Sequence, residues 1–331
     1  MGGINMCADI RNTCISEIHQ YIPAEYVLIC CASFESRCLS IPNTIAKSAK
    51  KVVIYRNSNL NFSTAIVNQE RIKEVAFEPI ICTIPFDQPD MLADSMAKEV
   101  EAIVSASKNL LIDTTTFTHE ALLILLKIVY LFKASFDSVY CLYTGAGKYS
   151  PGSTPADTWL SKGCKDVRNV IGFPGMLKPI ANTNLIILAG FELERATKLI
   201  ELVEPDRLIL GNGIDPINDS ISNVMAYFHK KYNDWKDDYK IIEKDDFEFS
   251  CRDIEKTVKT LKTIIAAAPE DNHIIVPLNT KLSTISAAIV ALENENIQLC
   301  YAVPEVYNYE NYSTPGEDIT IVDLKSFDIF K

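Results

Sequence analysis

The chain has 331 residues, 48% of them hydrophobic, and a formal charge of −11. That length suits two domains of ordinary size or one duplicated unit, with enough apolar material for sizeable cores. The acidic balance excludes an extended nucleic-acid surface or an anionic-membrane surface, which need a basic excess, but leaves room for one anionic ligand in a local basic pocket.

In chain order, apolar residues at helical spacing predict an amphipathic helix over Ile10–Tyr21. A first strand–turn–helix–strand unit follows: Val27–Cys31 as strand, Ala32-Ser33 as turn, Phe34–Lys50 as helix and Val52–Ile54 as second strand. Helices are expected at Phe62–Val75, Asp90–Ser107 and Thr118–Phe132, and further strands at Pro79–Ile84, Asn109–Asp113 and Ser138–Tyr143. Prolines and glycines then crowd residues 151–182, which reads as a linker holding at most a short strand at Asp166–Gly172.

The same pattern restarts at Asn184. Asn184–Ala189 reads as strand, Gly190 as turn, Phe191–Val203 as helix and Arg207–Leu210 as second strand. Helices are predicted over Ile217–Trp235, Cys251–Ala267 and Ser283–Leu292. Strands are predicted at Tyr239–Glu243, His273–Val276 and Ile297–Val303, with a final strand-like stretch at Ile319–Leu324 on an edge. The turns align as Ala32-Ser33-Phe34-Glu35 against Ala189-Gly190-Phe191-Glu192. The fold expected is therefore α/β: two tandem Rossmann-like α/β/α units with parallel sheets, related by internal duplication. Residues 1–150 form the first half with its N-terminal helix. Residues 183–331 form the second, with the C-terminal edge segment. Strand order 3-2-1-4-5 is the default for this pattern.

Several classes fall away. Met1–Ile10 lacks the basic start and apolar core of a signal peptide. The longest apolar run, Ala121–Phe132, contains Lys127 and is too short to span a bilayer. The ten cysteines lie mostly in apolar runs with no CxxC pair, as expected for reduced, buried thiols in a cytoplasmic protein without a metal site. No GxGxxG follows either first strand, so no dinucleotide cofactor is expected. Thr144-Gly145-Ala146-Gly147-Lys148 lacks the phosphate-loop spacing, because Tyr149 follows the lysine.

Ligands of open parallel sheets bind beyond the carboxyl ends of the strands, where helix N-termini converge. The candidate ligand contacts are therefore the polar residues at those ends. After strand 1 these are Ser33, Glu35 and Arg37, and in the second half Glu192 and Arg195. After strand 2 they are Arg56 and Asn212. After strand 4 the first half has Thr115, Thr116 and Thr118, and the second half Asn279, Thr280 and Lys281. Tyr307 follows strand 5 of the second half as a surface for stacking a base. The alternative reading of Glu35 with Arg37 and of Glu192 with Arg195 is an ion pair in the first helical turn. Asp113 and His119 are the candidates for acid–base work. No nucleophile–base pair is legible.

Two Rossmann-like halves with a threonine-rich turn after strand 4 resemble the CARF and SAVED domains of prokaryotic antiviral systems. Asp113-Thr114-Thr115-Thr116-Phe117-Thr118-His119 keeps the acidic position and threonines of the Asn/Asp-x-Thr-Gly-Gly-Thr-Lys turn of CARF domains, without its glycines and lysine. Asn279-Thr280-Lys281 shares part of it, out of register. The resemblance implies a sensor binding a nucleotide such as a cyclic oligonucleotide in a cleft between the halves, and either acting on a separate effector protein, or being a ring nuclease, or being a component of a defence complex. Such a cleft forms within one chain or across a homodimer, and the sequence leaves both open. Two other readings stand beside it: a nucleotide- or nucleoside-processing hydrolase or transferase, and a structural subunit whose pocket is vestigial.

Overall fold

The computed structural model describes residues 9–60, 62–239 and 243–331. In chain order the elements are β1 (Ile10–Cys14), β2 (Val27–Ala32), α1 (Ser40–Ile45), β3 (Lys51–Asn57), α2 (Ser63–Val75), β4 (Pro79–Ile84), α3 (Pro89–Ile103), β5 (Asn109–Asp113), α4 (His119–Leu131) and β6 (Ser138–Tyr149). There follow β7 (Ser161–Lys162), β8 (Asp166–Pro174), β9 (Thr183–Leu188), α5 (Leu193–Val203), β10 (Arg207–Ile214), α6 (Ser222–Lys236), β11 (Glu243–Ser250) and α7 (Ile254–Ala267). The chain ends with β12 (Asn272–Pro277), α8 (Lys281–Glu293), β13 (Gln298–Val303), β14 (Val306–Tyr307) and β15 (Ser313–Asp323). The fold is α/β, with mixed sheets of mostly parallel strands and helices between them. It divides into unit 1, Met1–Ala146 with Pro315–Lys331, and unit 2, Gly147–Thr314.

Unit 1 holds a seven-stranded sheet in the order β1-β15-β6-β5-β2-β3-β4. From β4 to β6 every pairing is parallel, and Ile29 of β2 lies between Val53 and Ile112. A strand flanked on both sides in a parallel sheet is covered on both faces, so β2 is apolar throughout and buried at all six residues. One core cluster gathers Leu28, Cys30, Ile41, Ile45, Val52 and Ile54. The Tyr26 hydroxyl spans it to donate to the Ile45 carbonyl at 2.8 Å.

Unit 2 holds a six-stranded sheet in the order β11-β10-β9-β12-β13-β8, parallel except that β8 runs antiparallel to β13, and a two-stranded antiparallel sheet of β7 and β14. Ile186 of β9 lies between Ile209 and Ile275. Counted within each unit, the parallel strands follow 3-2-1-4-5, as the βα alternation predicts. The helices that follow the fourth strands, α4 and α8, are buried along nearly their whole lengths. This accounts for their apolar residues lying all round the helix rather than along one stripe.

The structure differs from the sequence expectations in five places. Ile10–Tyr21 is not one helix but β1 followed by a 3-10 stretch, Ile15–Gln20. Pairing of Ile10–Cys14 with Val322–Asp318 overrides the local helical spacing. Phe34–Lys50 is broken into 3-10 turns around the short α1, because Pro42 has no N–H to donate and fits only the first turn of a helix. Thr144–Lys148 continues β6 as strand rather than ending it in a loop. The third strand of unit 2 is the charged Glu243–Ser250 rather than Tyr239–Glu243, whose residues 240–242 lie outside the described ones. It forms a sheet edge, where acidic residues deter pairing with another chain. Lastly, residues 151–182, read as a linker, belong to unit 2 and include β7 and β8, while residues 315–331, read with the second half, complete unit 1.

Candidate functional site

In unit 1 strand order reverses between β2 and β5, and the turns beyond their carboxyl ends carry the candidate residues. The Arg37 guanidinium donates to one oxygen of Glu35 through Nε (2.9 Å) and Nη2 (2.6 Å), and through Nη1 to the Thr144 carbonyl at 3.2 Å. Both side chains are buried. The pair therefore ties the turn after strand 1 to β6, and hydrogen bonding of this kind is what lets a buried charge persist. Ser33 stays close by, its carbonyl accepting from Asn68 Nδ2 at 2.9 Å. Arg56 Nε donates to Gln69 Oε1 at 2.8 Å.

The threonine turn is largely occupied by its own fold. Thr118 caps α4, accepting from the Ala121 N–H at 3.1 Å, as the N-cap preference for hydroxyl side chains requires. Thr115 Oγ1 accepts from the Thr144 N–H at 3.1 Å. Thr116 Oγ1 donates to the Cys31 carbonyl at 2.6 Å and so holds the turn after β5 against β2. Asp113, 1% exposed, accepts from the Thr115 N–H through Oδ1, while its Oδ2 has no partner among the described residues. Burial pushes its carboxyl up to about 7, opposed by the Thr115 hydrogen bonds and by the charge of Arg37. His119 is buried at the first position of α4.

Unit 2 repeats this arrangement with different residues. Arg195, 3% exposed, donates through Nη1 to Glu192 at 2.9 Å and through Nε to the Ala302 carbonyl at 2.7 Å. Glu192 also accepts from the Ser161 hydroxyl at 2.6 Å. Burial would lower the basicity of Arg195, but Glu192 and the neighbouring Tyr301, Tyr307 and Tyr312 hold it above its ordinary value. The guanidinium lies 5.3 Å from the Tyr301 ring centroid. Tyr307 lies on β14, paired with Ser161 of β7, and burial pushes its phenol well up.

The turn after β12 is held against the end of β9. Asn279 donates to the Ala189 carbonyl, and its Oδ1 accepts from the Thr280 N–H at 2.8 Å. Thr280 caps α8, accepting from the Ser283 N–H at 3.2 Å, and Lys281 is the first helical residue, partly buried. Gly190 makes this approach possible: a Cβ there would stand 1.9 Å from the Leu278 carbonyl oxygen. Asn212 lies within β10, its Oδ1 buried without a partner among the described residues.

The predicted residues thus gather by unit: Glu35, Arg37 and Asp113 in one, Glu192 and Arg195 in the other. Arg56 lies on β3 in unit 1 and Asn212 on β10 in unit 2, each strand adjacent to the first parallel strand of its own unit. Sequence reasoning missed the acceptors that complete both arginine sites, the carbonyls of Thr144 and Ala302. Backbone carbonyls leave no signature in a sequence. Ser161, hidden in the supposed linker, was missed for want of a pattern.

No protein-family model matches this chain, and no curated protein is similar to it. Among the described residues there is no cluster of three His, Cys, Asp or Glu placed to hold a metal ion. No helix among them is long and apolar enough to cross a membrane.

Proposed function

We propose that the protein is a tandem Rossmann-like sensor, its halves related by duplication, that binds a nucleotide-type anion at the carboxyl ends of its parallel strands. The single observation that carries this reading is the strand order 3-2-1-4-5 recurring in both units. It places two hydroxyl-capped helix N-termini, those of α4 and α8, just beyond the reversal of strand order. Duplication is supported by matched ion pairs, Glu35–Arg37 and Glu192–Arg195, each reaching a carbonyl at the fifth parallel strand. A role in antiviral defence, with a separate effector protein as partner, rests on the resemblance of the threonine turn to CARF domains. In that reading the ligand is a cyclic oligonucleotide.

The test is isothermal calorimetry with a panel of mononucleotides, cyclic dinucleotides and cyclic oligoadenylates. Saturable binding of at least one member is expected. Absence of binding by every member, in protein whose circular dichroism shows a folded α/β chain, contradicts the reading.

A second reading, a hydrolase or transferase acting on nucleotides or nucleosides, is favoured by Asp113. A carboxyl pushed up to about 7 by burial, with one oxygen lacking a partner among the described residues, is suited to moving a proton at neutral pH. Turnover of a nucleotide that disappears in folded Asp113→Asn protein would establish it. Substrate left intact over hours would remove it.

A further inference from the structure

Resting on the nucleotide-binding reading, we infer that unit 2 alone contains a complete subsite for one nucleotide, away from the junction of the β9 and β12 turns. At that junction Asn279 and the Gly190–Leu278 approach leave the turns touching. Beside it, where β9 leads into α5, lies a cavity of about 610 Å³. Its volume is within the range of small-molecule pockets, roughly 300–1,000 Å³.

Three features give this cavity its chemistry. One wall is aromatic: Phe191 and Phe228 pack 5.0 Å apart, and Trp159 lines the cavity with them. Two exposed lysines, Lys162 and Lys231, also line it, and neither forms an ion pair with a described residue. Each ammonium instead lies near an aromatic ring, 4.5 Å from the centroid of Trp159 and 5.8 Å from that of Phe228. The third is Arg195, nine-tenths buried, which lines the cavity with Nη2 lacking an acceptor among the described residues.

The carboxylates of the cavity are already engaged. Glu192 takes Arg195 and Ser161, Glu194 takes the Gly163 N–H, and Asp157 takes the Thr154 hydroxyl at 2.5 Å. Lys162, Lys231 and Nη2 of Arg195 are the cavity's cationic donors without an acceptor among the described residues, and they call for an anion. Aromatic walls call for a flat, polarisable ring. A ligand offering both is a nucleotide, its base against the rings and its phosphate at the ammonium groups. A lone phosphate satisfies only the lysines, and a neutral nucleoside only the rings. A cavity of about 610 Å³ suits a ligand of this size, so the subsite takes a mononucleotide or one nucleotide of a cyclic oligonucleotide.

The experiment is calorimetry on the full chain with 5′-AMP, 5′-GMP, cyclic di-AMP, cyclic di-GMP, cyclic tetra-adenylate, adenosine and inorganic phosphate. Wild type is compared with Lys162→Glu/Lys231→Glu, Trp159→Ala, and Lys259→Glu on α7, a control for surface charge. Expected are binding of at least one nucleotide, at least tenfold weaker binding in the double lysine variant and in Trp159→Ala, and less than a twofold change in Lys259→Glu. Both lysines are exposed, so that variant folds and its loss of affinity reads out the site. Nucleotide binding at full strength in the double variant overturns the subsite but leaves the binding reading standing. Inorganic phosphate or adenosine binding as tightly as the nucleotide also overturns it. No binding of any nucleotide by wild type overturns both.

Discussion

Arg195 and Arg37 show how one side chain holds separate segments together. Each is buried, each meets a carboxylate from its own turn, and each spends a further N–H on a carbonyl more than a hundred positions along the chain. Removing one member leaves the other as an unpaired buried charge. Arg195→Met is expected to cost roughly 3–5 kcal/mol in denaturant unfolding, with Arg195→Met/Glu192→Leu recovering a large part of it. Equal losses in single and double variants would show that the pair is no tie. Asp113 gives a pH signature. Its folded carboxyl is raised from an ordinary value near 3.8 to about 7, so the folded state holds a proton that the unfolded chain has released. Its contribution to stability is whole below about pH 4 and drains away as the pH rises to about 7. Asp113→Asn is expected to flatten that fall, gaining on the order of a few kcal/mol over wild type at pH 8 and nothing below pH 4. Parallel unfolding curves against pH for the two proteins would contradict it.

At the scale of elements, the apolar parallel strands of unit 1 were the most legible. β4 and β5 run over the residues their apolar runs predict, because such runs between turn signals have few other uses. Elements decided by distant partners were the least legible. β1 exists because β15 pairs with it, and α1 is short because Pro42 fixes where a helix can begin. In the site, the acidic-and-arginine turns were visible as candidates, but what they touch was not. Cap residues could be read directly: Thr280→Ala is expected to cost about 1 kcal/mol through loss of its hydrogen bond to Ser283, measured by thermal unfolding. Gly190 is a harsher case. Gly190→Ala drives a methyl into the Leu278 carbonyl, and a loss of at least about 3 kcal/mol is expected, since backbone on both sides cannot yield as a flexible side chain would. A variant as stable as wild type would show that the two turns are not held together.

For the whole molecule, the chain enters unit 2 after Ala146 and returns to unit 1 at Pro315, so the last residues finish the first sheet. The apolar Ile319–Val322 stretch announced a strand, but nothing in it named its sheet, because pairing partners are not written in local sequence. Removing residues 315–331 takes most of β15 from between β1 and β6 and bares apolar surface around Ile319 and Ile321. A truncated chain is expected to bind hydrophobic dye and lose cooperative unfolding of unit 1, read by fluorescence and near-ultraviolet dichroism. The recurrence of one strand order in two units is what supports the proposal that the strand-end turns bind a ligand. The cavity at the start of α5 is the subsite inferred for it in unit 2. The most direct measurement is photo-crosslinking of the whole chain with 8-azidoadenosine or 8-azidoguanosine 5′-monophosphate, with adducts mapped by peptide mass spectrometry. Saturable adducts within residues 153–163 or at Phe191 or Phe228, competed away by unmodified nucleotide, are expected; adducts confined to other segments, or none at all, would contradict the account.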